Sequence, residues 1–112
     1  MSEALLKARA RLLLGRSRYT LFNNPQGVAK YPGGHTVTYG LFPGSGDQIG
    51  WEEIIITPEM VGQKIARFCS VEYKDGDRGR LSPEQIVWDE NVRKAGGVSF
   101  IVRSEDDVRR ML

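Results

Sequence analysis

The sequence predicts an α/β or α+β fold built on one mixed β-sheet with flanking helices. Three observations point there. Helix start and stop signals recur in three places; two long apolar extended runs lie between them; and short extended runs sit between Gly, Pro and Asn. The chain has 112 residues, 40% hydrophobic and 27% charged, which fits a single soluble globular domain spanning 1–112.

The first element is a helix over "SEALLKARARLLLG". Leu5, Ala8 and Leu12 fall on one stripe, Ser2 can cap its start and Gly15 can end it. Turn formers then separate three short extended runs, "YTLF", "GVAKY" and "TVTYG". "IGWEEIIIT" reads as the best strand, broken by the proline in "TPEMVG". "KIARFCSVEYK" reads as a second long strand. Alternation puts Cys69, Val71 and Tyr73 on one face, towards the core, and Phe68, Ser70, Glu72 and Lys74 on the other.

After the polar loop "DGDRGR", a second helix opens with Ser82 as cap and Pro83 in its first position. It stops at Gly96 or Gly97. "VSFIV" is a short apolar strand. "SEDDVRRML" closes the chain as a helix, acids first and arginines last, as the helix dipole favours.

The net charge is +2 and the pI near 8.8. Cations cluster at both ends: Lys7, Arg9, Arg11, Arg16 and Arg18, then Arg103, Arg109 and Arg110. Such clusters serve either as phosphate-binding patches or as solvated helix faces. The single cysteine, Cys69, excludes an intramolecular disulfide and fits a reducing, cytoplasmic compartment; a small buried apolar role is expected for it. No long apolar window suggests a signal peptide or a membrane span.

Four residues stand out for chemistry: Asp47 at the mouth of the first long strand, Glu72 and Lys74 on one face of the next, and Gln85 at the start of the following helix. Two carboxylates are the usual protein contribution to a Mg²⁺ site, and a lysine beside one of them can support attack on a phosphate. Each residue also has a plainer reading. Glu72 and Lys74 can be an exposed pair, Asp47 a turn residue, and Gln85 the fourth member of a Ser-Pro-Glu-Gln capping box. His35, the only histidine, has no visible partner for acid–base work. Trp51 and Trp88 read as core or interface anchors, Asp75 and Asp77 as solvated turn residues, and Arg78 and Arg80 as loop cations able to touch a phosphate backbone.

The segments "NNPQGVAKY", "YGLFPGSGDQIGW", "FCSVEYKD" and "SPEQIVWDENVRKAGGVSFIV", taken in order, resemble the virus-type replication-repair nuclease (VRR-NUC) domain. That domain belongs to the PD-(D/E)xK nuclease superfamily, and the chain looks like a stand-alone, phage-type member. The resemblance covers nearly the whole chain. It implies a restriction-endonuclease-like α/β core with a central mixed sheet. It implies Mg²⁺ or Mn²⁺ held by Asp47, Glu72 and the backbone carbonyl of Tyr73, with Lys74 assisting the attacking water or the scissile phosphate and Gln85 completing the site.

The family also carries a glutamate on its first helix, for which Glu3 is the candidate; a surface ion pair from Glu3 to Lys7 is the alternative. Gln48 and Tyr73 depart from the pattern without removing a ligand. The implied activity is metal-dependent hydrolysis of DNA phosphodiesters, selective for branched DNA such as four-way (Holliday) junctions. A homodimer would perform it, in the host cytoplasm if the chain is phage-encoded. A dimer would also cover Leu12, Leu13 and Leu14. The alternatives are a non-catalytic nucleic-acid-binding module of the same fold and a phosphoesterase acting on a small substrate.

Overall fold

A computed structural model describes residues 2–112. The chain is mixed α/β and divides into two compact units, Met1–Ile54 and Ile55–Leu112. No helix among the described residues is long and apolar enough to cross a membrane.

The first unit contains α1 (Glu3–Leu14), β1 (Tyr19–Asn23), β2 (Gly27–Lys30), β3 (Thr36–Tyr39) and β4 (Gln48–Glu52). Ser2 caps α1, its hydroxyl accepting from Leu5 N at 3.1 Å. The strands form two antiparallel ladders, β1 with β4 and β2 with β3. Leu21 pairs with Gly50, and Phe22 and Trp51 make a tilted ring contact with centroids 5.5 Å apart. Gly50 has to be glycine, because a Cβ there would run into the Thr20 carbonyl. The β2–β3 hairpin turns through Gly33 and Gly34, both at positive φ, which no side-chain-bearing residue takes cheaply. His35 lies in this turn, its carbonyl accepting from Tyr31 N.

The second unit contains a 3-10 turn (Pro58–Met60), β5 (Cys69–Tyr73), α2 (Pro83–Lys94), β6 (Val98–Val102) and α3 (Glu105–Arg109). β5 and β6 run parallel, joined across α2 in a βαβ arrangement. The core lies where α2 meets β6: Val92 is 1% exposed, and Ser99 and Val102 are also buried. Gly97 makes that junction close, with room for no Cβ between Val92 and the Phe68 carbonyl.

In place of one continuous mixed sheet, the strands form three two-stranded ladders. The two long strands are also shorter than expected, and in each case pairing ends where the partner ends. Glu53 N still donates to Arg18 O, but beyond it the partner has entered the turn that closes from Ser17 N to Leu14 O. Val98 N donates to Phe68 O, but before Val98 the partner is the Gly96–Gly97 helix stop. Ile55 and Ile56 therefore lie outside any ladder and are exposed.

Alternation along β5 holds, but the covered side is the reverse of that expected. The α2 stripe of Gln85, Trp88 and Val92 turns inward, so α2 lies over the Phe68, Ser70 and Glu72 face. Cys69 and Tyr73, expected in the core, are exposed, Tyr73 by 71%.

Candidate functional site

The second unit gathers three of the expected residues. Gln85 closes a capping box with Ser82: Gln85 N donates to Ser82 Oγ at 3.1 Å, and Ser82 N donates to Gln85 Oε1 at 2.9 Å. The other end of the same amide, Nε2, donates to Glu72 Oε1 at 2.8 Å. The capping role open in the sequence is thus filled, and the same side chain also reaches Glu72. Lys74 Nζ lies 3.5 Å from that same Glu72 oxygen.

Glu72 Oε1 is therefore held by a neutral donor and a cation. Oε2 has no hydrogen bond or ion pair among the described residues. The Glu72 side chain is 38% exposed, and Lys74 only 18%. A cation so well covered has to be paired, which Glu72 does. Tyr73, between them, pairs with Val102 on the last rung of the ladder.

A cavity of about 250 Å³ lies beside this group, lined among others by Glu72, Gln85, Trp88, Asp89 and Ser99. Trp88 Nε1 donates to Ser70 Oγ at 2.8 Å, fixing the indole as one wall. Asp89 is one turn beyond Gln85. Its Oδ2 accepts from Arg93 Nε at 3.1 Å, while Oδ1 is buried without a hydrogen bond of ordinary geometry. The Ser99 hydroxyl does most to hold the Asp89 carboxyl below its usual range; Arg93 adds to this and burial opposes it. Asp89 drew no attention in the sequence, where its spacing to Arg93 reads as an ordinary helix pair.

Asp47 belongs to the first unit. Its carboxylate pairs with Lys7 Nζ at 3.4 Å and is 73% exposed. Asn24 organises the turn that carries it. Asn24 N donates to Asp47 O at 2.8 Å, and its Nδ2 donates to Ser45 Oγ and Gly46 O. Its Oδ1 accepts from Leu41 N, and Gln26 Nε2 donates to Ser45 O at 2.8 Å. Asp47 and Lys7 line an open cleft of about 660 Å³ with Arg11, Asn24 and Gln26.

Among the described residues Glu3 has no ion pair to Lys7, which is turned to Asp47 instead, and it does not line this cleft. Sequence reasoning had no means to find Lys7 or Asn24, since their partners lie 40 and about 20 residues away.

Compared with protein-family models, curated proteins and solved structures, the chain matches none.

The terminal cation clusters differ in kind. Arg109 pairs with Glu105 and Asp106, and Arg110 with Asp107, so the C-terminal cluster is neutralised by its own helix. Arg103 is turned onto the main chain, donating from Nη1 to Gly76 O and Gly79 O. Arg18 pairs with Glu52, each side chain drawing the other's pKa away from its ordinary value, the arginine's up and the carboxyl's down. Arg9, Arg11 and Arg16 have no ion pair among the described residues.

The donor chemistry suits a hard divalent cation. Glu72 offers a free carboxylate oxygen, and Mg²⁺ takes one or two carboxylates while keeping several waters. Among the described residues, no three His, Cys, Asp or Glu side chains gather closely enough to form a metal cluster by themselves.

Proposed function

We propose that the chain is a divalent-metal-dependent DNA endonuclease of the PD-(D/E)xK type, resembling the VRR-NUC domain. Mg²⁺ or Mn²⁺ would be its cofactor and branched DNA its substrate. One observation carries this reading: Glu72 is gripped on one oxygen by both Gln85 and Lys74, while its other oxygen is left free.

In this reading Glu72 is the carboxylate that the second unit offers the ion, and the family pattern adds Asp47 and the Tyr73 carbonyl. A bound divalent ion supplies Lewis-acid stabilisation of the charge that grows on the phosphate. Gln85 keeps the Glu72 carboxylate in one orientation. Lys74 carries a positive charge beside it, and in the transition state that charge serves the non-bridging phosphate oxygens. The cover over Lys74 limits its hydration, which strengthens its interaction with an anion. A homodimer would present two such sites to the two strands of a junction.

A non-catalytic nucleic-acid-binding module is the second reading, favoured by the unneutralised Arg9, Arg11 and Arg16. The deciding experiment is nicking of labelled four-way junction, flap and duplex DNA with Mg²⁺ or Mn²⁺. Wild type is compared with Asp47→Asn and Lys74→Ala. Metal-dependent cleavage by the wild type, lost in both variants while DNA binding persists, is the expected result. Cleavage that survives both substitutions overturns the site. Binding without cleavage by the wild type favours the module.

A further inference from the structure

We propose that Arg103 is a positioning residue for Lys74, acting through the loop 75–79. The proposal rests on the reading of Lys74 as the ammonium that serves the phosphate. The loop "DGDRG" has almost no apolar side chain with which to hold its place. Its own bonds are two, from Arg78 N and Gly79 N to Asp75 O. Arg103 supplies the rest. A single nitrogen, Nη1, donates to Gly76 O at 2.8 Å and to Gly79 O at 2.6 Å, joining the two ends of the turn. The arginine is itself fixed, since its N donates to Asp107 Oδ2 at 2.8 Å in the first turn of α3.

Gly79 links this strap to Lys74. Its main chain lies against the lysine stem, so closely that a Cβ would meet Lys74 Cβ at 2.8 Å and Cδ at 3.2 Å. The strap thus presses the loop onto the stem, and the ammonium is left turned to Glu72 Oε1. The main chain is tied at the same level, with Lys74 N donating to Val102 O, one residue before Arg103. The end of β6 therefore holds Lys74 twice, by the ladder and by the guanidinium. A planar guanidinium with several donors suits this better than a lysine ammonium, which is a mobile point charge.

The test measures Lys74 directly and does not require catalysis. Lysine acetylation by acetic anhydride, followed site by site by mass spectrometry, compares Lys74 with Lys7, Lys30, Lys64 and Lys94. In Arg103→Gln the Lys74 rate is expected to rise several-fold with the other four unchanged. An unchanged Lys74 rate in the folded variant overturns the proposal, as does a rise shared equally by all five lysines. Should Arg103→Gln fail to fold, Gly79→Ala decides, since it disturbs the same contact with Arg103 intact; the same rise at Lys74 is expected and its absence is fatal.

In nicking assays Arg103→Gln should lower kcat by on the order of tenfold with KM for DNA unchanged, as loss of positioning rather than of binding predicts. If the wild type cleaves no DNA, the nuclease reading falls, while the labelling result still decides whether Arg103 positions Lys74.

Discussion

Gln85 divides one amide between two tasks: its Oε1 accepts from Ser82 N and closes the helix cap, while its Nε2 donates to Glu72 Oε1. The cap thereby aims the donor at the carboxylate. Gln85→Ala removes both bonds and should cost about 1–3 kcal/mol of stability, read by thermal or urea denaturation. Gln85→Glu keeps the cap, because glutamate serves a capping box as well as glutamine does. It also sets a second carboxylate against Glu72. Its stability should therefore fall without added metal and, under the nuclease reading, recover on addition of Mg²⁺ or Mn²⁺, with a larger rise in Tm than in wild type. Equal rises in the two proteins would place the ion elsewhere.

Asn24 is the corresponding fixture for Asp47. Every polar group of this residue's side chain is used within the turn, and its backbone N–H reaches Asp47 itself. Asn24→Ala should cost about 1–3 kcal/mol, since Leu41 N and two acceptors lose their partner. Asn24→Asp keeps the acceptor for Leu41 N and loses only the donors, so it should cost less. Under the nuclease reading both variants lose cleavage beyond what their stability explains, and an Asn24→Ala protein with full activity would free Asp47 of this dependence.

Local chemistry was legible in the sequence and non-local chemistry was not. Ser82, Pro83, Gln85 and Gly96 mark a helix by rules that span four residues, and the helix ends there. Alternation put Glu72 and Lys74 on one face correctly, because the strand period is fixed by the backbone. It could not say which face a helix would cover, and Tyr73 is exposed as a result. Strand lengths escaped for a similar reason: a ladder ends with its shorter partner, and neither the Leu14–Ser17 turn nor the Gly96–Gly97 stop is visible from within "IGWEEIIIT" or "KIARFCSVEYK". Of the site, Gln85 was legible as a choice between two roles. Only the folded chain shows that the capping amide also reaches Glu72.

Asp89 gives the second unit a defined acid sensitivity. The Ser99 hydroxyl, then Arg93, holds its carboxyl below the usual range. A carboxyl with a depressed folded pKa contributes stability that is fully present above its unfolded pKa, near 3.9, and is lost as pH falls through the folded value. Stability should thus decline on acidification below about pH 4 more steeply in wild type than in Asp89→Asn. Ser99→Ala should make the decline shallower by removing the leading cause of the shift. Denaturation midpoints from pH 2 to 7 measure all three; curves of identical shape for wild type and Asp89→Asn would remove Asp89 from the account.

Under either nucleic-acid reading, the unequal neutralisation of the two termini predicts where a polyanion would be held. Arg109 and Arg110 are engaged by Glu105, Asp106 and Asp107 within three or four residues, so binding a phosphate would first require displacing an internal partner. Arg9, Arg11 and Arg16 meet no such competition among the described residues, and Arg11 lines the same cleft as Lys7 and Asp47. Each phosphate contact removed should lower the slope of log affinity against log salt by about 0.9 on duplex DNA. Arg11→Gln and Arg16→Gln should each show that decrement and Arg110→Gln should not. Binding titrations from 50 to 200 mM salt, the range over which such contacts weaken visibly, give the slopes. A decrement at Arg110 equal to that at Arg11 would mean that the α3 ion pairs yield to DNA, and the N-terminal helix would lose its special place in binding.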